Sequence, residues 1–194
     1  MKYIINLLIV GLVVFLGYLL YTNINEPIMF RNELNKRKNI VTEKLVNIRT
    51  AQELYREITG EFAPNFDTLV YVLKNDSIPF RQLLADPNDP ENPDLFIENI
   101  ILFSALDSIQ AMGINLDDLA YVPYTNRGSE FSIQADTLTY QQTLVPVVEV
   151  MTRWKEFMGE YGDPRFSMYE KDYQPDAKVG FGSMSSPNLE GNWK

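Results

Sequence analysis

Nineteen consecutive residues, Tyr3 to Tyr21 (YIINLLIVGLVVFLGYLLY), carry no charge and only one strongly polar side chain, Asn6. As a helix rising about 1.5 Å per residue, such a run crosses a hydrocarbon core of about 30 Å. Tyr3 at one end and Tyr18 and Tyr21 at the other are placed to meet the two interfaces. A cleaved secretory signal has an apolar stretch of about 7–15 residues. This run is longer, and the following Thr22-Asn23-Ile24-Asn25 lacks a small-x-small cleavage pattern. The expectation is an uncleaved signal anchor over residues 1–22. Only Lys2 precedes the span, while Arg31, Lys36, Arg37 and Lys38 follow it. A strict positive-inside count would keep the C-terminal part in the cytoplasm. Those bases, however, start ten residues beyond Tyr21 and are interleaved with Glu26, Glu33 and Glu43. The chain therefore reads as a single-pass inner-membrane protein with a periplasmic C-terminal domain.

Two absences narrow the chemistry. The 194 residues include no Cys and no His. That excludes disulfides, thiolate nucleophiles, histidine triads and histidine- or cysteine-bearing metal centres. A non-enzymatic role is expected, with no catalytic residues assigned. The 26 acids and 17 bases give a formal net charge of −9. With no basic stripe interleaved with aromatics, nucleic acid is not an expected partner. Hydrophobic residues make up 45% of the chain, enough for a folded core beyond the anchor.

Asn25-Glu26-Pro27 is a good helix start: a capping amide, an acid at the positive end of the dipole, and a Pro that needs no donor. The stripe Phe30, Leu34, Val41, Leu45, Ile48, Tyr55 and Ile58 follows at helical spacing and Gly60 ends it. This amphipathic stem spans 23–60 and can run nearly continuously out of the anchor, with Pro27 the one place for a kink. In the best heptad frame Arg37 and Lys44 fall at core positions, which favours packing on the protein's own sheet over a zipper. Residues 61–194 read as a soluble α+β domain forming one unit with the stem. A short helix capped by Asn65 or Asp67 reaches Leu73 or Lys74. Another helical turn is expected in 77–85, then a loop through 86–94 (DPNDPENPD), and a strand or buried segment in LFIENIILF. ALDSIQAMG reads as a short helix closed by Gly113. Four strands are expected at 119–124, 130–135, 137–142 and 145–150, with Phe131 and Ile133 inward. Helical spacing returns over 150–161, and the tail from Asp163 reads as irregular.

The stretch IRTAQELYREITGEFAPNFDTL resembles the helix-to-domain junction of type IV pilins and type II secretion pseudopilins. Ala51, Gln52 and Tyr55 match an Ala-Gln/Glu-x-x-Tyr-like segment, and Gly60, Phe62, Pro64 and Leu69 match the step beyond it. The resemblance covers residues ~27–75, about a quarter of the chain. Pilins also carry a short basic leader, a Gly cleavage site and a Phe-Thr-Leu-x-Glu start to the mature helix. This chain begins MKYIINLLIV, and its first glutamate, Glu26, lies beyond the apolar run. The resemblance implies a pilin-like architecture used as a permanently anchored component, with other envelope proteins or further copies of itself as partners. The Asn-, Tyr- and Asp-rich composition and the terminal EGNWK also look like small single-span envelope proteins of Bacteroidota.

Asp86, Asp89, Glu91 and Asp94 gather four hard oxygen donors within nine residues, a candidate Ca²⁺ loop that lacks EF-hand spacing. A calcium loop is also what the pseudopilin resemblance implies. Phe30, Leu34, Val41 and Ile48 on the stem are the candidate interaction residues. Glu149 with Glu160 is the pair a carboxylate-dependent hydrolase would need, and Ser108 with Lys155 the corresponding Ser-Lys pair. Asp117 and Asp118 read as a turn, and Trp154 and Trp193 as packing residues. FGSMSSPNLEGNW can fold over its own core or add to a partner. A non-enzymatic subunit or scaffold of a secretion, pilus-like or motility apparatus is thus the leading expectation. A membrane-tethered module binding Ca²⁺ or glycan is second, and an anchored hydrolase third.

Overall fold

A computed structural model describes residues 2–85 and 96–193. It is an α+β structure: one long N-terminal helix, whose second half packs against short helices and two small antiparallel sheets. Helix α1 runs unbroken from Lys2–Thr59, about 87 Å at 1.5 Å per residue. Its first part is long and apolar enough to cross a membrane, with mean hydropathy 2.5 over an 18-residue window and none of that window buried. The expected helix start at Asn25 is therefore a correction: Asn25 caps nothing, and its amide reaches the Tyr21 hydroxyl and the Met29 sulfur along the helix. Pro27 removes only one donor, that facing the Asn23 carbonyl, from a ladder extending far on both sides. Gly60, at φ 86°, turns the chain away as its amide still reaches the Arg56 carbonyl at 2.8 Å.

Beyond α1, α2 (Phe66–Asn75) is capped by Asn65, whose side chain accepts from the Thr68 amide at 2.8 Å. Between the two helices, buried Gln52 clamps the turn. Its amide donates to the Ala63 carbonyl and accepts from the Ala63 amide, at 3.1 and 2.9 Å. That pair satisfies both backbone groups of a buried residue.

Ser77–Ala85, expected as a helical turn, is strand β1. It pairs antiparallel with β2 (Phe96–Ser104), from Ser77 opposite Ser104 to Ala85 opposite Phe96. A partner some twenty residues away decides the conformation of a stretch whose local pattern is ambiguous. Helix α3 (Ala105–Ala111) follows directly, with Ser104 as its cap.

The second sheet has the order β3-β4-β5, all antiparallel. β3 (Ser132–Tyr140) is one strand where a break near Asp136 was expected, and it alternates with Ser132 and Gln134 outward and Ile133 and Ala135 half-buried. A two-residue turn, Gln141-Gln142, leads into β4 (Thr143–Arg153), which continues past Val150 where a helix was expected. Helix α4 (Trp154–Met158) is correspondingly short and gives way to 3-10 turns over Gly159–Gly162 and Pro164–Met168. The expected strand at 119–124 is reduced to one bridge, Tyr121 to Glu130. Pro123 offers no amide, and Tyr124 takes a left-handed φ of 68°. The tail, expected as irregular, supplies β5 (Lys178–Gly182) against β4. Its glycines are what the site demands: a Cβ at Gly180 would collide with the Val150 carbonyl oxygen. One continuous core joins the stem stripe to Leu69, Leu73, Ile109, Phe131, Val148, Val150, Phe157, Phe166 and Phe181.

Candidate functional site

Phe30, Leu34, Val41 and Ile48 are all buried in the protein's own core. They hold the domain to α1 and leave almost no side-chain surface outward. Arg37 and Lys44, awkward in a zipper, serve the same packing. The Arg37 guanidinium donates to Glu33 at 2.9 Å and to the Phe157 carbonyl at 2.8 Å, and lies over the Tyr124 ring. This holds the Glu33 carboxyl below its ordinary range. Lys44 donates to Asp118 at 3.3 Å.

Where the domain first meets α1, at Glu26 to Leu34, two layers form. The inner one is aromatic. Phe30 stacks on Phe166 with ring centres 5.2 Å apart, meets Tyr173 edge-on at 5.1 Å, and touches Tyr161 and Tyr169. Tyr173 is buried and its hydroxyl donates to the Tyr161 carbonyl at 2.7 Å; burial, with Asp163 nearby, pushes its pKa up to about 12. The outer layer is polar. The Tyr169 hydroxyl donates to Glu26 at 2.8 Å, which raises its pKa, and Arg165 pairs with Glu26 at 3.4 Å. Arg31 donates to the Tyr169 carbonyl at 2.9 Å and pairs with Glu170. Beside this seam lies a cavity of about 430 Å³, walled by Tyr21, Glu26, Met29, Glu160, Arg165 and Phe166 among others.

A second cavity, of about 480 Å³, opens between α1 and the tail. Trp154, Tyr173 and Trp193 line it together with Asn35, Lys38 and Asn192. Trp193 lies against Gly191, and Asn192 ties the tail down by accepting from the Gly180 amide and donating to the Lys178 carbonyl. The tail is thus folded over its own core.

The β1–β2 ribbon differs from both. Direct pairing of Phe80 with Ile101 and of Ile78 with Phe103 puts these four on one face, where Phe80 and Phe103 meet edge-on at 6.0 Å. Ile100 and Leu102 point to the opposite face. Phe80, Ile100, Ile101, Leu102 and Phe103 are between 37% and 66% exposed, so the ribbon is apolar on both sides. It pairs with no third strand among the described residues. An isolated two-stranded ribbon is marginal by itself, and open apolar edges invite pairing. Sequence reasoning missed this surface because it needed the register of two strands, one of which reads as helix.

The other candidates are not brought together. Ser108 donates back to the Ser104 carbonyl while Lys155 pairs with Asp176 at 2.7 Å, so they form no dyad. Glu149 sits on β4 opposite Gln134, whereas Glu160 lines the cavity beside Tyr21. Asp117 and Asp118 close a 3-10 turn through Lys74 at 2.6 Å and through Lys44 and Arg127. Asp86, Asp89, Glu91 and Asp94 lie outside the described residues. Among the described residues no group of three or more acidic side chains converges on a metal-sized site. Compared with family models, curated proteins and solved structures, the chain matches none.

Proposed function

We propose that the chain is a non-enzymatic, membrane-anchored subunit or scaffold of a bacterial envelope assembly of the secretion, pilus-like or motility kind. Its first helix segment would cross the inner membrane, with the domain on the periplasmic side. The observation that carries the reading is the β1–β2 ribbon, which exposes apolar side chains on both faces and whose edges pair with no other strand among the described residues. Such a surface is costly in water and suited to insertion between partners or addition of a strand. The long helix with a free apolar first half and a domain-packed second half also supports the pilin-like architecture. The mechanism is positional: the anchor sets where the ribbon is offered. In mild detergent the full chain should crosslink to itself or to copurifying envelope proteins. The ribbon double variant I100K/L102K should remove those crosslinks with an unchanged melting midpoint. Crosslinks that persist in that variant, or a strictly monomeric and partner-free chain, would sink the assembly reading.

A second reading, a tethered glycan-binding module, is favoured by the cavity that sets Trp154, Tyr173 and Trp193 beside two asparagines. Indole fluorescence unchanged by soluble oligosaccharides would remove it.

A further inference from the structure

We infer that the cavity beside Tyr21 seats the headgroup of one aminophospholipid from the bilayer that α1 crosses. The inference rests on the proposed anchoring. Tyr21 closes the uncharged run and Glu26 follows five residues later, about 7.5 Å further along the axis. The headgroup layer on each side of a bilayer is about 5–7.5 Å deep, so Glu26 stands at its outer limit. The cavity, with a volume of about 430 Å³, therefore opens at headgroup depth if Tyr21 marks the edge of the hydrocarbon.

Its chemistry is mixed in sign. Arg165 faces it from the Pro164–Met168 turn, Glu160 from the Gly159–Gly162 turn, and Glu26 from α1. Arg165 spends one contact on Glu26 and its side chain stays 64% exposed, leaving further guanidinium donors for a phosphodiester. Among the described residues Glu160 forms no ion pair, and its carboxylate can receive a protonated primary amine. Two carboxylates against one guanidinium leave the site net negative, so a headgroup with phosphate alone is disfavoured and one carrying an ammonium as well is matched. Tyr21 and Thr22, the lining residues nearest the span, stand at the glycerol end, and Met29 and Phe166 form the apolar back wall furthest from it. Met29 in its lining is 50% exposed, and elsewhere on the same stretch of α1 and on the facing turn Ile24 and Ile28 are 52–55% and Met168 76% exposed. These side chains continue the apolar surface of the span onto the facing segment, where a bilayer surface covers them and water does not.

The test uses the delipidated full chain in mild detergent, mixed with equal phosphatidylethanolamine, phosphatidylcholine and phosphatidylglycerol of the same acyl chains. Native mass spectrometry should count one retained phosphatidylethanolamine per chain, at least about tenfold over either competitor. Glu160→Gln and, separately, Arg165→Ala should each cut that retention about tenfold with an unchanged melting midpoint. Both side chains are exposed, so neither variant threatens folding. Equal retention of the three lipids, preference for phosphatidylglycerol, or full retention by Glu160→Gln would overturn the seat. Displacement by soluble glycerophosphoethanolamine would overturn the lipid as its source. Vesicle flotation and alkaline carbonate extraction separate the two failures. A wild-type chain that does not float, or is released by carbonate, ends the anchoring reading and the seat together. One that floats and resists release but shows no headgroup preference ends the seat alone.

Discussion

Phe30 holds more of this architecture than any other single ring, because it joins the stem to four aromatic side chains of the 161–173 segment. Phe30→Ala should destabilise the domain by about 3–5 kcal/mol, since the rigid rings around it cannot close the hole. A denaturant midpoint measured on the full chain in detergent checks this, and a loss under about 1 kcal/mol contradicts the contact set. Tyr173 beneath it makes stability pH-dependent. Its folded pKa, near 12, lies above the ordinary 10.0. The neutral phenol is thus what the fold favours: its contribution is fully present below pH 10.0 and is lost as pH rises through about 12. Tyr173→Phe should flatten that alkaline fall, at a cost of about 1 kcal/mol at neutral pH for the lost bond to Tyr161. An alkaline melting series in which both chains fall equally between those values would refute the assignment.

Among the elements, the Gln141-Gln142 turn is the clearest inefficiency. Both residues have positive φ, 48° and 67°, the type I′ geometry that suits Asn-Gly and strains larger side chains. Replacing the pair with Asn-Gly should stabilise the chain by about 1 kcal/mol, read as a shift in midpoint at unchanged denaturant slope. A neutral or negative change would mean the hairpin closes in some other register. The helices were the legible part of the sequence. The stripe from Phe30 to Tyr55 sits at i, i+3, i+4 and i+7 spacing, and its predicted members are buried. The Asn65 cap and the stop at Gly60 act through local chemistry, so a single stretch of sequence suffices to place them. The strands were legible where alternation was regular, as in Phe131 to Ala135, or where a β-branched run stood between turn signals, as in Val145 to Val150. Ser77–Ala85 has no such signal, and Lys178–Gly182 carries two glycines that read as a loop, yet close approach to Val150 and Val148 is what requires them. The seam of Glu26, Arg165 and Tyr169 was out of reach altogether, since it joins residues 139 to 143 positions apart, and no spacing rule connects them.

At the scale of the whole molecule, an acidic domain hangs on one uninterrupted rod. If that domain faces the periplasm, protease added to spheroplasts should remove it and leave a membrane-held stub of a few kilodaltons, about the mass of 25–30 residues. Full protection would place the domain in the cytoplasm instead. The continuity of α1 through Pro27 gives this arrangement a geometric property. Because the apolar segment and the stem share one helical screw, the domain's height along the axis (above the bilayer, if the segment spans one as proposed) and its compass bearing around that axis are coupled. Each residue added between Tyr21 and Phe30 would lift the domain by about 1.5 Å and swing it by about 100°. In the proposed anchored arrangement, the length of that nine-residue interval is therefore also an angular setting for the direction in which the ribbon points.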